Sequence, residues 1–401
     1  MRLEPLQDGD ARALAAARLG DAAAATAVDW VLANANGNPL ALVELPRALT
    51  PDQASGREPL AGVLPPATSV ERAFLNRVRR LPASVQQLLL VAASEETGDR
   101  ATIERAADAL GFAAGQLSIA ELHGLVTVGL DRIVFRHPLV RSAVYRGATF
   151  AERERVHRTL ADVLDGPGDA DRRAWHRAAA TPGADDDVAD ELEATAERAR
   201  TRGGFSGAAT ALERAAQLSA APEARARRLV HAGRAAWRAG QLRRATTLLD
   251  AAGPVLDDPL LHADREHVRA RIEARSGSML SAGSRLLAAA SKVSRSDPHR
   301  SLAMLLDTGL MAGRSGDIAC MGEAATIAAS LPRGEDGTEA VLRDLLVGAG
   351  NLMLGRSTAD VSRIRAAVAR AGESDDVHVL AWAAAGAATI GEGAAETAIL
   401  G

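Results

Sequence analysis

Six glycines recur at near-constant spacing through the second half of the chain: Gly204, Gly240, Gly277, Gly316, Gly355 and Gly391, at intervals of 36, 37, 39, 39 and 36 residues. The text around them recurs too, as RGGFSGAATALERAA, RAGQLRRATTLLDAA, RSGSMLSAGSRLLAAA and RSGDIACMGEAATIAA. An alanine stands five positions after the glycine in the first three (Ala209, Ala245, Ala282), and Met321 takes that place in the fourth. A small residue there lets the second helix of a pair press against the first. A fixed period of this size marks paired helices that cannot bury their apolar faces alone and stack on their neighbours. The spacing predicts tetratricopeptide-like helical hairpins over 166–401, degenerate and slightly longer than the usual period of roughly 34 residues. An irregular helical bundle with chance glycine spacing is the alternative.

Composition supports helices rather than sheets. Aromatic residues are only 2% of the 401, whereas stacked sheets draw on aromatic and β-branched side chains. Among 47 basic residues Lys292 is the one lysine, so chemistry that needs an amine must use it. The lone cysteine, Cys320, cannot form an internal disulfide, which fits a reducing compartment. The first residues, MRLEPLQDGDARAL, hold no apolar signal core, and nowhere do apolar residues run on long enough to span a bilayer. A net charge of −4 gives no overall pull toward nucleic acid. The expectation is a mostly α, cytoplasmic protein with no membrane contact.

Upstream of the repeats two further regions are legible. Residues 1–60 read as short helices: one from Asp8 or Asp10 to Leu19, an Ala-rich one containing Trp30, and one opened by Pro39 through Ala41, Leu42 and Leu45. The stretch from Pro51 to Pro66 reads as a connector. In 61–165, Val70, Phe74, Val78 and Leu81 recur at helical spacing, and Pro82 opens a helix burying Val85, Leu88, Leu89 and Ala92. Helices near Thr102–Leu110 and up to Leu125 follow. Val126–Val128 and Ile133–Phe135 flank Gly129-Leu-Asp131 as a β-hairpin, and His137-Pro138 starts another helix. Helices followed by a two-stranded hairpin predict a winged-helix module. From the residues alone, Asn36-Gly37-Asn38-Pro39 is ordinary turn chemistry before a helix, and His137 is placed to cap one.

Three segments, Gly37-Asn38-Pro39-Leu40-Ala41-Leu42, the stretch Glu71 to Leu81, and Phe135-Arg136-His137-Pro138-Leu139-Val140-Arg141, resemble the large ATP-binding regulators of the LuxR family. These are relatives of the maltose-regulon activator among the STAND signalling ATPases, common in high-GC actinobacteria. The run ERARTRGGFSGAATALERAAQLS is similar to the helical region that such regulators carry next. The resemblance spans essentially the whole chain, and the order and spacing of its short motifs carry it. It implies the succession of a P-loop ATPase, a helical lid (1–60 here), a winged helix (61–165), helical repeats (166–401) and a DNA-binding helix-turn-helix. It implies further that Gly37, Asn38 and Pro39 form the lid motif whose proline contacts the nucleotide base. By the same resemblance His137 reaches the diphosphate of bound ADP, with Arg136 and Arg141 as neighbouring charges.

The catalytic half of such an ATPase is not in this sequence. A P-loop needs a glycine-rich turn and a lysine on the phosphates. No GxxxxGK[ST] is present, and Lys292 lies in Ala-Ser-Lys-Val-Ser within the repeats. The chain is expected to start downstream of that domain, with MRLEPLQ as the tail of its last segment. It stops at Ala398-Ile-Leu-Gly401 without a helix-turn-helix of the LuxR kind. Arg72, Arg77, Arg79 and Arg80 offer the winged helix some phosphate affinity, but an arginine-rich face in a chain almost free of lysine is weak evidence for DNA reading.

Nothing else in the sequence assembles a catalytic site or a metal centre. There is no HExxH, GxSxG, EF-hand loop or CxxC. His157 and His176 lie on Arg-rich stretches, as surface or interface positions. Asp185-Asp-Asp187 precedes a helix and suits its N-terminus. Cys320 reads as a small core residue, and Glu95 and Glu96 as loop carboxylates without a third partner. The leading expectation is the regulatory and sensor portion of an ATP-dependent LuxR-type regulator, not itself an enzyme. ATP or ADP would be held by the full-length arrangement rather than tightly by this chain. Its partners would be a nucleotide-binding domain and a protein or small-molecule inducer on the repeats, with DNA reached only through a helix-turn-helix. The alternative is a stand-alone repeat scaffold with no nucleotide or DNA role.

Overall fold

The computed structural model describes residues 6–20, 23–35, 37, 39–47, 49–60, 74–75, 77–253, 258–332, 337–356, 359–372, 374 and 376–392. The chain divides into two compact units, Met1–Ala251 and Ala252–Gly401, the division falling within the expected repeats. Among the described residues the fold is helical apart from one two-stranded hairpin.

The first unit begins with α1 (Asp8–Leu19), α2 (Ala25–Ala35), α3 (Pro39–Arg47) and the single turn α4 (Pro51–Ala54). Ala11 and Ala15 of α1 meet Val28, Val31 and Ala35 of α2 and Ala41, Leu42 and Leu45 of α3 in one apolar cluster. Pro39 is the first residue of α3, where its missing N–H costs nothing. The expected connector is partly ordered: Thr50 caps α4 with a capping box to Gln53. Residues 61–66, and with them the end of that connector, lie outside the described residues.

Next come α5 (Ala83–Ser94), α6 (Arg100–Ala109), a 3-10 turn at Ala114–Gln116 and α7 (Leu117–Leu122). Strands β1 (Val126–Val128) and β2 (Ile133–Phe135) pair antiparallel, with Val126 opposite Phe135 and Val128 opposite Ile133. Helices α8 (Pro138–Gly147) and α9 (Phe150–Val163) close the module. Its core is built on α5, whose Leu88, Leu89 and Val91 are fully enclosed by Ile103, Leu125, Val126, Val140, Val156 and Leu160. Of the helix expected around Val70–Leu81, Phe74, Leu75 and 77–79 are helical, while Val70, Glu71, Arg72, Ala73 and Asn76 lie outside the described residues.

Paired helices then follow to the end of the first unit: α10 (Ala170–Ala180), α11 (Asp186–Thr201), α12 (Phe205–Leu218), α13 (Pro222–Arg238) and α14 (Leu242–Ala251). Asp185 caps α11 by accepting from Val188 N–H, the role expected of the Asp185–Asp187 run. In the second unit lie α15 (Pro259–Arg275), α16 (Met279–Val293), α17 (Pro298–Ser315), α18 (Ile318–Ser330), α19 (Gly337–Met353), α20 (Asp360–Ala371) and α21 (Val377–Thr389). Asp258 and Asp297 each cap a helix that begins with proline, so both ends of the Asp-Pro pair fit an N-terminus.

Gly204, Gly240, Gly277, Gly316 and Gly355 each sit at the turn between two helices, and Gly391 follows the last described one. Gly240, Gly277, Gly316, Gly355 and Gly391 all adopt positive φ, the conformation an L-residue resists. In the first hairpin that role belongs to Gly203 (φ 77°) and not to Gly204, whose φ is −79°. The residues five positions on, Ala209, Ala245, Ala282 and Met321, are all buried, as the close approach of paired helices demands.

Candidate functional site

His137 sits between β2 and α8, at the seam between the lid helices and the winged-helix module. Its Nδ1 accepts from Leu139 N–H at 3.1 Å and caps α8, with Pro138 at the first helical position. The ring stacks on Phe74, with centroids 6.0 Å apart. Burial lowers its pKa, so the imidazole is neutral near pH 7 with its proton on Nε2. Arg136 beside it is exposed, and its backbone N–H is tied to Leu125 O. Arg141, one turn further along α8, is committed to the core side: its Nε donates to Ala93 O at 2.8 Å.

Leu139, two residues past His137, leaves the winged-helix core and enters the apolar cluster of α1, α2 and α3. Phe74 packs against both clusters. The α1–α3 cluster and the module that carries the hairpin therefore share packed side chains. On the lid side Gly37 has a φ of 71°, and its carbonyl accepts from Leu6 N–H at 2.8 Å. Pro39 is exposed at the head of α3, whose Ala41, Leu42 and Leu45 join Leu139 in that cluster. Asn38 lies outside the described residues. The two motifs thus flank one shared core.

Of the four arginines weighed for phosphate contact, Arg72 lies outside the described residues. Arg77 is turned onto its own fold, donating to His123 O and lying over the Phe74 ring. Arg79 and Arg80 are exposed.

Where the winged helix meets the first repeat helix, the structure departs from the sequence reading. His157 and His176 are not surface groups; they are 6% and 5% exposed, with their Nδ1 atoms 2.9 Å apart. Tyr145 OH lies 2.7 Å from His157 Nε2, so three polar side chains from α8, α9 and α10 form a chain across the junction. Burial, and then the neighbouring His176 and Arg153, hold His157 down to about 3. Burial and Arg172 hold His176 to about 4. Tyr145 is pushed up by its burial and stays protonated. With Tyr145 donating to Nε2, His157 donates through Nδ1 to the bare Nδ1 of His176, and every contact is satisfied with both rings neutral.

Glu95 likewise has the third partner that the sequence did not reveal. Its side chain is fully enclosed, accepting from Arg172 Nη2 at 2.6 Å, Thr97 Oγ1 at 2.8 Å and Asp99 N–H at 2.9 Å. Position 157 follows Val156 and precedes Leu160 by one turn, which places it on the buried face; that periodicity was the available signal. Nothing local signals Arg172, which is 77 residues from Glu95 in sequence.

A groove of about 600 Å³ lies along α11, α12 and α13 of the first unit. Leu212 and Ala235 line its floor, and Arg238 stacks over Phe205 at 5.0 Å from the ring centroid. Cys320 is buried in the second unit, and burial, with Asp317 and Glu323 nearby, pushes its thiol up to about 11. Among the described residues no three His, Cys, Asp or Glu side chains group as metal ligands, and no helix is long and apolar enough to cross a membrane.

No protein family matches the chain, and no curated protein matches it. Among solved structures, it is similar to a signal transduction ATPase with numerous domains (STAND) carrying a tetratricopeptide repeat sensor, from Pyrococcus horikoshii. The alignment spans 99% of this chain and 72% of that one, at 14% identity and a TM-score of 0.34. A likeness that distant adds nothing to the functional argument.

Proposed function

We propose that this chain is the switch and sensor part of a STAND-type, ATP-controlled transcriptional regulator of the LuxR kind. The observation that carries the reading is the shared packing at the seam. The winged helix inserts Leu139 into the lid core directly after the His137-Pro138 cap, in a chain that continues into helical hairpins. In this reading Gly37, Asn38 and Pro39 face the base of a nucleotide held by a separate P-loop domain, and Arg136 and His137 face its phosphates. A neutral His137 contributes one hydrogen bond from Nε2–H, and the positive charge comes from Arg136. Inducer binding on the repeats shifts the balance between an ADP-locked and an ATP-bound state, which requires that it bind the two states unequally.

Titrating ADP and ATP, with Mg²⁺, into the 401-residue chain tests the division of labour. Neither is expected to bind tightly, because no P-loop lysine is present; tight Mg²⁺-dependent ATP binding would overturn the proposal. Sequencing the gene on both sides supplies the second test. An in-frame P-loop before this segment and a helix-turn-helix after it support the reading, and their absence favours the repeat scaffold. In a protein that carries the P-loop domain, His137→Ala is expected to speed ADP release. Unchanged ADP retention removes His137 from this role.

A further inference from the structure

The groove along α11, α12 and α13 has a polarity from end to end. Glu193, Glu197 and Arg200 recur along the α11 wall, and His231, Arg234 and Arg238 along the α13 wall. Each set steps over seven residues, about 10.5 Å of helix. Between them α12 supplies a floor of Phe205, Ala208 and Leu212. The turn at Gly203 reverses the chain, so Arg200 and Phe205 lie at one end, and the stacking of Arg238 on Phe205 places that arginine there too. Glu193, His231 and Leu212 lie at the other end.

Two carboxylates and three guanidinium groups line the space, an excess of one positive charge. Histidine is not counted, and protonation of His231 would only enlarge that excess. Both carboxylates are committed: Glu193 accepts from Arg227 Nη1 at 3.0 Å and from Arg228 Nε at 2.9 Å, and Glu197 accepts from Arg200 Nε at 2.8 Å. Arg238 is exposed and pairs with no carboxylate among the described residues. Its guanidinium lies over the Phe205 ring, which positions the cation without neutralising it and leaves its donors within reach of an anion in the groove. At about 600 Å³ the groove has room for a small molecule.

We infer that this groove binds a small aliphatic monocarboxylate, its carboxylate at Arg238 and its chain along the floor toward Leu212. One unmatched cation at one end suits one negative charge. A dicarboxylate of the same length would carry its second charge to the end where Glu193 stands, and an amine would bring its charge against Arg238. A peptide would lay backbone N–H and C=O groups on a floor of apolar side chains that offer them no partner. Just past the turn that follows Arg238, Arg243 Nη1 donates to Ser55 O at 3.0 Å, a contact between the repeats and the residue that ends α4. The inference deepens the sensor reading by naming a ligand class for the repeats, and its signalling consequence rests on that reading. The binding itself does not.

Octanoate, butanoate, suberate, octylamine and acetyl-Leu-Leu differ in length, charge and backbone, so they serve as probes in calorimetric titration of the full chain. Extended octanoate covers most of the groove's length, and butanoate less than half. Octanoate is expected to bind at least tenfold more tightly than each of the others. Arg238→Met, which keeps an apolar stem over Phe205, is expected to weaken octanoate at least tenfold without lowering the melting temperature of the unliganded chain. Arg238→Lys, which keeps the charge, is expected to weaken it less. Any of the other four probes binding as tightly as octanoate would overturn the assignment. So would no heat from octanoate at about 10 mM, or equal affinity in wild type and Arg238→Met. The probe series is read on the unaltered chain and decides the matter should a variant fold poorly. These readings involve neither nucleotide nor DNA. Octanoate binding in a protein whose gene lacks flanking domains would therefore sink the regulator reading and leave the site standing.

Discussion

The Nδ1 atoms of His157 and His176 face each other at 2.9 Å in a buried junction, and that distance permits at most one proton between them. Both rings are neutral in the folded chain, held to about 3 and about 4, whereas unfolded histidine titrates near its ordinary 6.5. Below pH 6.5 the unfolded chain therefore takes up protons that the folded chain refuses, and stability falls as pH falls. Each histidine contributes about 1.4 kcal/mol of loss per pH unit between roughly 6.5 and 4. Urea denaturation at pH 7, 6 and 5 should show this decline. The double variant His157→Phe/His176→Leu should show a clearly flatter one; an equally steep decline would place the pH sensitivity elsewhere.

Glu95 and Arg172 should respond unequally to substitution. Glu95 has no exposure, whereas Arg172 keeps nearly a third of its side chain in solvent and a second partner in Asp169. Arg172→Met strands a buried carboxylate and should cost about 3 kcal/mol. Glu95→Gln leaves a less costly mismatch, an amide N–H facing another donor, worth about 1–2 kcal/mol. Denaturation midpoints that reversed this order would show that Arg172 is not the charge that makes Glu95 tolerable.

Two helical glycines in the second unit should behave oppositely. A Cβ on Gly350 would lie 2.4 Å from Ala325 Cβ and 3.1 Å from Met321 O, neither of which can swing aside. Gly350→Ala should therefore destabilise by about 1–3 kcal/mol. A Cβ on Gly283 would lie no closer than 3.6 Å to anything, here Cys320 Sγ. Gly283→Ala should stabilise by about 0.5–1 kcal/mol, the gain in helix propensity. Melting temperatures shifting the same way in both variants would contradict the packing.

Arg228 is enclosed to 2% exposure yet makes three bonds: Nε to Glu193 at 2.9 Å, Nη1 to Ser219 Oγ at 2.6 Å, and Nη2 to Asp190. A lysine cannot reproduce that planar fork. Arg228→Lys should lose about 2 kcal/mol, while Arg227→Lys, on a more exposed pair with the same Glu193, should lose under about 0.5 kcal/mol. Equal losses would mean that burial of the fork does not matter.

The elements of this fold follow largely from local signals. Pro39, Pro138 and Asp185 each mark a helix start that the structure keeps, and Val126–Val128 with Ile133–Phe135 form the hairpin their composition suggested. The glycine period reported the turns inside the hairpins, with one slip: two adjacent glycines offered themselves, and only backbone geometry distinguishes Gly203 from Gly204. Polar side chains were far less legible. Glu95 and Arg172 meet across 77 residues, and the partners of a buried charge are set by how modules dock rather than by spacing along the chain. His157 was readable as buried from its helical position, but its meeting with His176 was not.

Leu139 and Phe74 have a mechanical consequence. Because each is packed against the α1–α3 cluster while belonging by sequence to the winged-helix side, prying the two modules apart would bring the nearly fully buried Leu139 into water, at about 1.5–3 kcal/mol, and would expose the half-buried Phe74 further. The two modules are therefore expected to move together, with His137 at the joint between them.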